Sequence, residues 1–125
     1  PGDPTVWRLM AQYCLTHEFA LRESGLPAAR QAVTLAGDDP ANLDMIGQTL
    51  LALGDETSAE RFLQQAIPKS DVFPEVEFHL GQLYLRQGKM EWAEYHLARA
   101  VRLSEQDAEI GTIAQRLLAR YFGGR

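Results

Sequence analysis

Apolar residues recur every three or four positions along this chain, with polar residues between them. The stretch HLGQLYLRQGKMEWAEYHLARA, residues 79–100, is typical of this spacing. Apolar residues placed in this way form one stripe along an amphipathic α-helix. No stretch shows the period-two alternation that a half-buried β-strand requires. The pattern therefore predicts an all-α fold.

Aspartate and proline mark where several of the predicted helices begin. Asp3-Pro4 and Asp39-Pro40 each place a capping carboxylate before a proline, whose missing N–H is not needed at the first helical position. Pro68 should end its helix early, because a proline inside a helix costs about 3 kcal/mol. We expect first helices near residues 4–20, 40–53 and 74–87, second helices near 26–36, 56–67 and 89–103, and a closing helix near 108–122.

The chain repeats itself at a step of 34 residues. The matching pairs are Pro40 and Pro74, Gly47 and Gly81, Gln48 and Gln82, Leu51 and Leu85, Gly54 and Gly88, Ala59 and Ala93, Leu63 and Leu97, and Ala66 and Ala100. A looser copy precedes them at a step of 36, in which Trp7, Met10, Ala11 and Cys14 match Leu43, Ile46, Gly47 and Leu50. Its linker is about two residues longer, so we expect an irregular corner there. The repeats span approximately residues 4–39, 40–73 and 74–107, which indicates stacked helical hairpins.

This pattern resembles the tetratricopeptide repeat (TPR) family, whose unit of about 34 residues reads W-x2-L-G-x2-Y, then A-x3-F, then P. The third copy reads Leu80-Gly81-x2-Tyr84, followed by Ala93-x3-Leu97. The resemblance implies a right-handed superhelical α-solenoid of about seven helices, with residues 1–125 as a single domain. Glu77 departs from the pattern, because a large apolar residue is expected at that position.

Two repeated glycines predict close contact between helices. A glycine inside a helix costs about 1 kcal/mol relative to alanine, so Gly47 and Gly81 need a packing reason. We expect each to lie where a first helix meets its own second helix, facing Ala59 and Ala93 respectively. A larger residue would then hold the two helices apart.

The last predicted helix carries one apolar stripe, while its other side is polar. The stripe consists of Ile110, Ile113, Ala114, Leu117, Leu118 and Tyr121. The end of a repeat array needs a cap with a polar outer face. We expect this helix to cap the last repeat, and the alternative is that its stripe binds a helix of a partner.

In TPR proteins the first helices line a concave groove that holds segments of other proteins, and the resemblance implies such a groove here. The side chains expected to line it are Arg8, Gln12, Asp44, Met45, Gln48, Phe78, His79, Gln82 and Arg86. Gln12, Gln48 and Gln82 would form a ladder of amides, which donate and accept hydrogen bonds and so suit a peptide backbone. The alternatives are that the glutamines are only solvated and that Phe78 packs against Phe73 or a neighbouring repeat.

The sequence contains no familiar catalytic or metal-binding motif. Its three histidines and one cysteine make no usual metal spacing, and no phosphate-binding or nucleophile motif is present. Cys14 and His17 are three residues apart, but Cys14 occupies a core position of the repeat, where a buried thiol is expected. We therefore expect no enzyme activity, no cofactor and no metal site.

Composition and charge narrow the range of partners. A net charge of −5 disfavours nucleic-acid binding, and the chain has no apolar run long enough for a membrane span. A single cysteine among 125 residues is compatible with a cytoplasmic location. The first residues, PGDPTV, lack an initiator methionine and the features of a signal peptide, so we expect a piece of a longer protein.

These features favour a protein–protein interaction module that binds a peptide or protein segment in the groove. The alternative function is a structural spacer or a scaffold that self-associates into a homo-oligomer. That alternative rests on Trp92 and on apolar surface at the N-terminal end. Trp92 would either be exposed with Met90 and Tyr95 or fold onto the preceding Gly88 turn.

Overall fold

The fold is built from α-helices joined by short turns. A computed structural model describes residues 2–105 and 108–123, and within these ranges it contains seven α-helices and no strand. The helices are α1 (Pro4–Thr16), α2 (Leu26–Leu35), α3 (Pro40–Ala52), α4 (Glu56–Ala66), α5 (Glu75–Arg86), α6 (Met90–Leu103) and α7 (Glu109–Phe122). The all-α prediction is confirmed. None of the described helices has the length and apolar character needed to cross a bilayer.

The chain divides into two compact units, Pro1–Ala66 and Ile67–Arg125. The first unit contains α1 to α4, and the second contains α5 to α7. The boundary between the units falls at the end of α4, where Pro68 was expected to end the helix. Helix α4 ends at Ala66, and a single 3-10 turn, Ile67–Lys69, follows. The prediction of one domain over residues 1–125, and that of a superhelical path, stay predictions.

The predicted aspartate caps are present at the starts of α1 and α3. Asp3 Oδ1 accepts a hydrogen bond from the backbone N–H of Thr5 at 2.9 Å, and Asp39 Oδ1 accepts one from Ala41 N at 2.9 Å. Each bond satisfies a backbone donor that has no partner within the helix. These two helix starts are therefore fixed by the sequence.

The predicted end of α1 is wrong, because the helix stops at Thr16 instead of residue 20. Glu18 and Ala20 both have left-handed backbone conformations, with φ of 49° and 48°. A left-handed residue cannot continue a right-handed helix. A π-helical turn, Leu21–Gly25, then leads into α2. The irregular corner expected from the longer linker is thus confirmed.

The two repeated glycines lie where the first and second helices of a hairpin touch. A Cβ atom added to Gly47 would lie 2.7 Å from Leu63 Cγ, and one added to Gly81 would lie 2.6 Å from Leu97 Cγ. The predicted location between the helices is therefore confirmed. The closest neighbour, however, is the leucine one turn beyond the predicted alanine, because the leucine side chain reaches back over the glycine.

Helix α7 closes the second unit, as predicted. Its apolar side joins the core formed by Phe78, Leu97 and Ala100. The residues of α7 that pack there are Ile110, Ile113, Ala114, Leu117, Leu118 and Phe122. Tyr121 was expected in this stripe, but it is exposed with Arg120 over its ring, and Phe122 packs instead. The stripe is consequently used within the chain.

Glu77, the residue that departs from the TPR pattern, is a fully buried carboxylate with a partner on each oxygen. His96 Nδ1 donates to Oε1 at 2.7 Å, and Arg99 Nε donates to Oε2 at 3.0 Å. His96 Nδ1 must carry the hydrogen, because an ionised carboxylate only accepts. Burial raises the pKa of Glu77, but hydrogen bonds from His96, Arg99 and Ser70 outweigh it and hold the pKa below its ordinary value. The network ties α5 to α6.

Replacing Gly81 with alanine should destabilise the protein, although alanine is the better helix former. The added methyl group would lie 2.6 Å from Leu97 Cγ and 3.3 Å from Leu97 N, whereas carbon atoms in contact are about 3.5–4.0 Å apart. Overpacking costs about 1–3 kcal/mol, and the gain in helix propensity is about 1 kcal/mol. Urea unfolding should therefore show a net loss in the free energy of unfolding.

The matched control for Gly81→Ala is Gln82→Ala, at the next and exposed position of the same helix. This change should alter the free energy of unfolding by less than about 0.5 kcal/mol. A Gly81→Ala protein as stable as the parent would mean that α5 and α6 do not need glycine in order to touch.

Replacing Glu77 with glutamine should cost about 1.5–3 kcal/mol at pH 7, because it removes hydrogen bonds to a charged group. The pKa of Glu77 lies below its ordinary value of 4.5. Its stabilising contribution is therefore complete above that pH and is lost as the pH falls through the lower pKa of the folded state. As the pH falls, the difference in the free energy of unfolding between the parent and Glu77→Gln, measured by urea unfolding, should therefore shrink.

Glu105→Gln, an exposed change in the same unit, serves as the control and should show neither effect. A stability difference for Glu77→Gln that stays constant from neutral to acidic pH would contradict the assignment of an ionised, hydrogen-bonded Glu77.

Candidate functional site

Arg8 joins α1 to α3 in the first unit. Its Nη1 atom donates to Asn42 Oδ1 at 2.7 Å and lies 3.5 Å from Asp39 Oδ2, the carboxylate that caps α3. Both partners belong to the start of α3, so the early turns of the two helices lie side by side. Arg8 was predicted to line a groove, and the structure directs its guanidinium at the neighbouring helix instead.

Gln12 and Gln48 are the two members of the predicted amide ladder that lie within the first unit; we call them the glutamine pair. Gln12 is exposed, and Gln48 is half-buried. Gln12 Nε2 donates to Thr16 Oγ1 at 2.9 Å, and Gln48 Nε2 donates to Asp44 Oδ2 at 2.9 Å. In both residues the NH2 group is held by a side chain four positions away on the same helix. Each of these bonds uses one of the two N–H groups, so each amide keeps its carbonyl oxygen as an acceptor and one N–H as a donor.

Asp44 and Met45 were expected to face an open groove, and this exposure is wrong. Both side chains are buried. Met45 belongs to the core of the first unit, where it packs with Ile46, Ala28 and Ala29. The helical period placed these residues beside Gln48, but it did not reveal how far the core extends around α3.

The four predicted groove residues of the second unit lie on α5, and they differ in exposure. Phe78 is buried in a core with residues of α6 and α7, so its predicted exposure in an open groove is wrong. The half-buried ring of His79 lies edge-on to it, with ring centroids 5.5 Å apart. Gln82 and Arg86 are exposed. Of the four, these last two are the ones that present an exposed polar surface.

One side of α1 carries four large apolar side chains in solvent. These residues are Val6, Leu9, Met10 and Tyr13, and we call them the outer face of α1. Their spacing places them along one side of a helix. The opposite side of α1 contributes Ala11 and Cys14 to the interior. Apolar surface was predicted at this end of the chain, but it was not assigned to these residues.

A second exposed apolar group, the α6 patch, consists of Met90, Trp92 and Tyr95. Trp92 was expected either to be exposed or to fold onto the preceding turn, and it does part of each. More than half of its side chain is exposed, while its ring lies edge-on to Tyr84 at 5.3 Å and beneath Lys89 Nζ at 5.1 Å. An open cavity of about 280 Å³ adjoins it, lined by Lys89, Met90, Glu91 and Trp92.

The cysteine and the histidine considered in the sequence lie in different environments. Cys14 is buried, as its repeat position predicted, and a Cβ atom on Gly25 would lie 3.0 Å from Cys14 Cβ. His17 is exposed, and its ring packs on Tyr13 with centroids 4.4 Å apart. Within residues 2–105 and 108–123, no group of three or more His, Cys, Asp or Glu side chains is arranged to hold a metal ion.

The resemblance to the TPR family is carried by the pattern of the sequence. No model of a known protein family matches the chain, and no curated protein matches it significantly. The positions of the repeated glycines and of the helix starts are the structural features that agree with the pattern. Membership of the TPR family therefore stays a prediction.

Proposed function

We propose that this chain is a non-catalytic, TPR-like interaction module that binds an extended segment of another protein across α1 and α3. The observation that carries the proposal is the glutamine pair, which presents two amide carbonyl groups from neighbouring helices. A solenoid of three repeats with a closing helix is part of the same proposal, and it is supported by the repeat in the sequence.

The geometry of an extended peptide suits two acceptors on neighbouring helices. N–H groups on one edge of a strand recur every two residues, or about 6.6 Å. Packed helices lie about 8–10 Å apart, and glutamine side chains are flexible enough to close the difference. Gln12 and Gln48 can therefore accept hydrogen bonds from successive N–H groups on the same edge of a peptide.

The surroundings of the glutamine pair favour recognition of backbone over recognition of charge. Arg8 is bonded to α3, and Asp44 is buried beneath Gln48. Thr16 and Ala52, which lie one turn beyond Gln12 and Gln48, are exposed and uncharged. Binding at this surface should consequently depend little on ionic strength, because screening acts on exposed charges.

The proposal is non-catalytic because the reactive side chains are occupied in the fold. The Cys14 thiol is buried, and the His17 ring packs on Tyr13. Glu77, the buried carboxylate, has both oxygens bonded to His96 and Arg99. These groups stabilise helices and are not directed at a cleft.

The test uses a displayed library of random 12-residue peptides panned against the whole chain. Fluorescence anisotropy of a selected peptide should then show binding that weakens about thirtyfold in the double variant Gln12→Ala/Gln48→Ala, because two net hydrogen bonds of about 1 kcal/mol each are lost. The affinity should change less than about twofold between 50 mM and 500 mM salt.

Gln65→Ala, an exposed glutamine on α4, is the matched control and should leave the affinity unchanged. Thermal unfolding should show that the double variant is folded. Binding that survives the double change, or that disappears at high salt, would assign the peptide to another surface.

Self-association is a second candidate function, and the α6 patch is the observation that favours it. Exposed tryptophan and tyrosine are enriched at protein interfaces, and Trp92 and Tyr95 lie within one turn of each other on α6. Met90 adds an adaptable apolar side chain beside them.

Sedimentation velocity over a range of protein concentration tests this second candidate. If the α6 patch self-associates, the parent should form dimers that Trp92→Ala abolishes and that Tyr121→Ala, an exposed aromatic on α7, leaves intact. A parent that remains monomeric up to about 1 mM, where even a weak interface is populated, would remove self-association as a function.

A further inference from the structure

The first and second repeats place equivalent residues in different environments. At the step of 36, the outer face of α1 corresponds to a buried side of α3, with Val6 matching Asn42, Leu9 matching Met45, Met10 matching Ile46, and Tyr13 matching Thr49. The four residues of α3 are 0%, 5%, 1% and 0% exposed, in that order. Their counterparts on α1 are 52%, 61%, 43% and 58% exposed.

Helix α2 explains why this side of α3 is buried at its start and centre. Asn42 Nδ2 donates to the backbone carbonyls of Ala32 and Ala36, at 3.4 Å and 3.1 Å. Met45 and Ile46 pack in one core with alanines of α2. Large side chains of α3 thus meet a helix whose fully buried residues are Ala28, Ala29 and Ala32, while its larger Leu26 and Val33 are partly buried against the same core. Nothing in the described part of the chain takes the equivalent place on α1.

The outer face of α1 has the character of a buried surface. Its four side chains are large and uncharged, and they occupy positions i, i+3, i+4 and i+7 of one helix. Val6 replaces the hydrogen-bonding Asn42, so the Tyr13 hydroxyl is the one side-chain polar group of this face that a partner would have to satisfy. Contiguous exposed apolar residues of this kind mark interaction sites.

We propose that the outer face of α1 binds an amphipathic helix of another protein, one whose apolar side consists of alanine-sized residues. The partner helix would pack on α1 as α2 packs on α3. Small residues are required because well-packed interfaces set large side chains against small ones, and α1 already supplies the large ones. This binding is separate from the proposed peptide binding, because Gln12 lies on a different side of α1.

A second copy of the chain fits this surface less well than an alanine-faced helix does. The alanines of α2 are buried in their own unit, and the exposed sides of α2, α4 and α7 carry Arg30, Arg61 and Arg116. Two α1 helices facing each other would set bulky Leu9, Met10 and Tyr13 against themselves. The net charge of −5 per chain also opposes self-association.

The chain's own α2 provides the probe for the experiment. A synthetic peptide of residues 26–36, labelled with fluorescein, is held helical by a hydrocarbon staple that replaces Arg30 and Thr34, which are exposed and four positions apart. Circular dichroism establishes its helicity. Fluorescence anisotropy with the whole chain should show saturable binding, and the same peptide with Ala29→Glu should bind at least about tenfold more weakly, since a charge would be buried.

Tyr13→Glu and Tyr95→Glu in the protein form a matched pair, because these tyrosines are 58% and 57% exposed. Tyr13→Glu should weaken binding of the stapled peptide about tenfold or more by placing a charge in the interface, and Tyr95→Glu should leave it unchanged. The proposal is overturned if the helical peptide does not bind or if Tyr13→Glu binds it as well as the parent. Sedimentation showing a dimer that Tyr13→Glu dissociates would assign the face to a second copy and also overturn it.

Discussion

The contact between a glycine and a leucine inside the α3–α4 and α5–α6 hairpins is the constraint on which the rest of this structure depends. Leu63 lies over Gly47, and Leu97 lies over Gly81, so that helix backbones approach at a distance that no side chain at the glycine positions would permit. This close approach determines which side of α3 packs against α4 and which side of α5 packs against α6. The remaining sides are then divided between the neighbouring helices and solvent.

Polar contacts fix the alignment that apolar packing leaves open. Arg8 reaches Asn42, and Asn42 in turn donates to the end of α2, so three successive helices are tied near their termini. In the second unit, buried Glu77 of α5 accepts hydrogen bonds from His96 and Arg99 of α6 and so ties these two helices together. Such bonds are directional, whereas apolar contacts tolerate sliding.

The sequence predicted most of the fold but less of the candidate site, for physical reasons. Helix starts follow from Asp3, Asp39 and their prolines, which act locally. The exposure of Asp44, Met45 and Phe78 was predicted wrongly, because helical periodicity gives a direction around the axis but not the width of the buried sector. That width depends on every helix that packs nearby, including α7 against Phe78. The early end of α1 at Thr16 depends on left-handed backbone at Glu18 and Ala20, which no residue preference signals.

The irregular corner after α1 also bears on how the length of this protein can vary during evolution. Helices α1 and α3 have 13 residues each, so the longer step of the first repeat arises after α1 has ended. The left-handed residues and the π-helical turn Leu21–Gly25 take up the added chain before α2 begins. Despite the added residues, Arg8 of α1 still contacts Asn42 of α3. Insertions at this corner are therefore absorbed as a loop, without shifting one repeat along another.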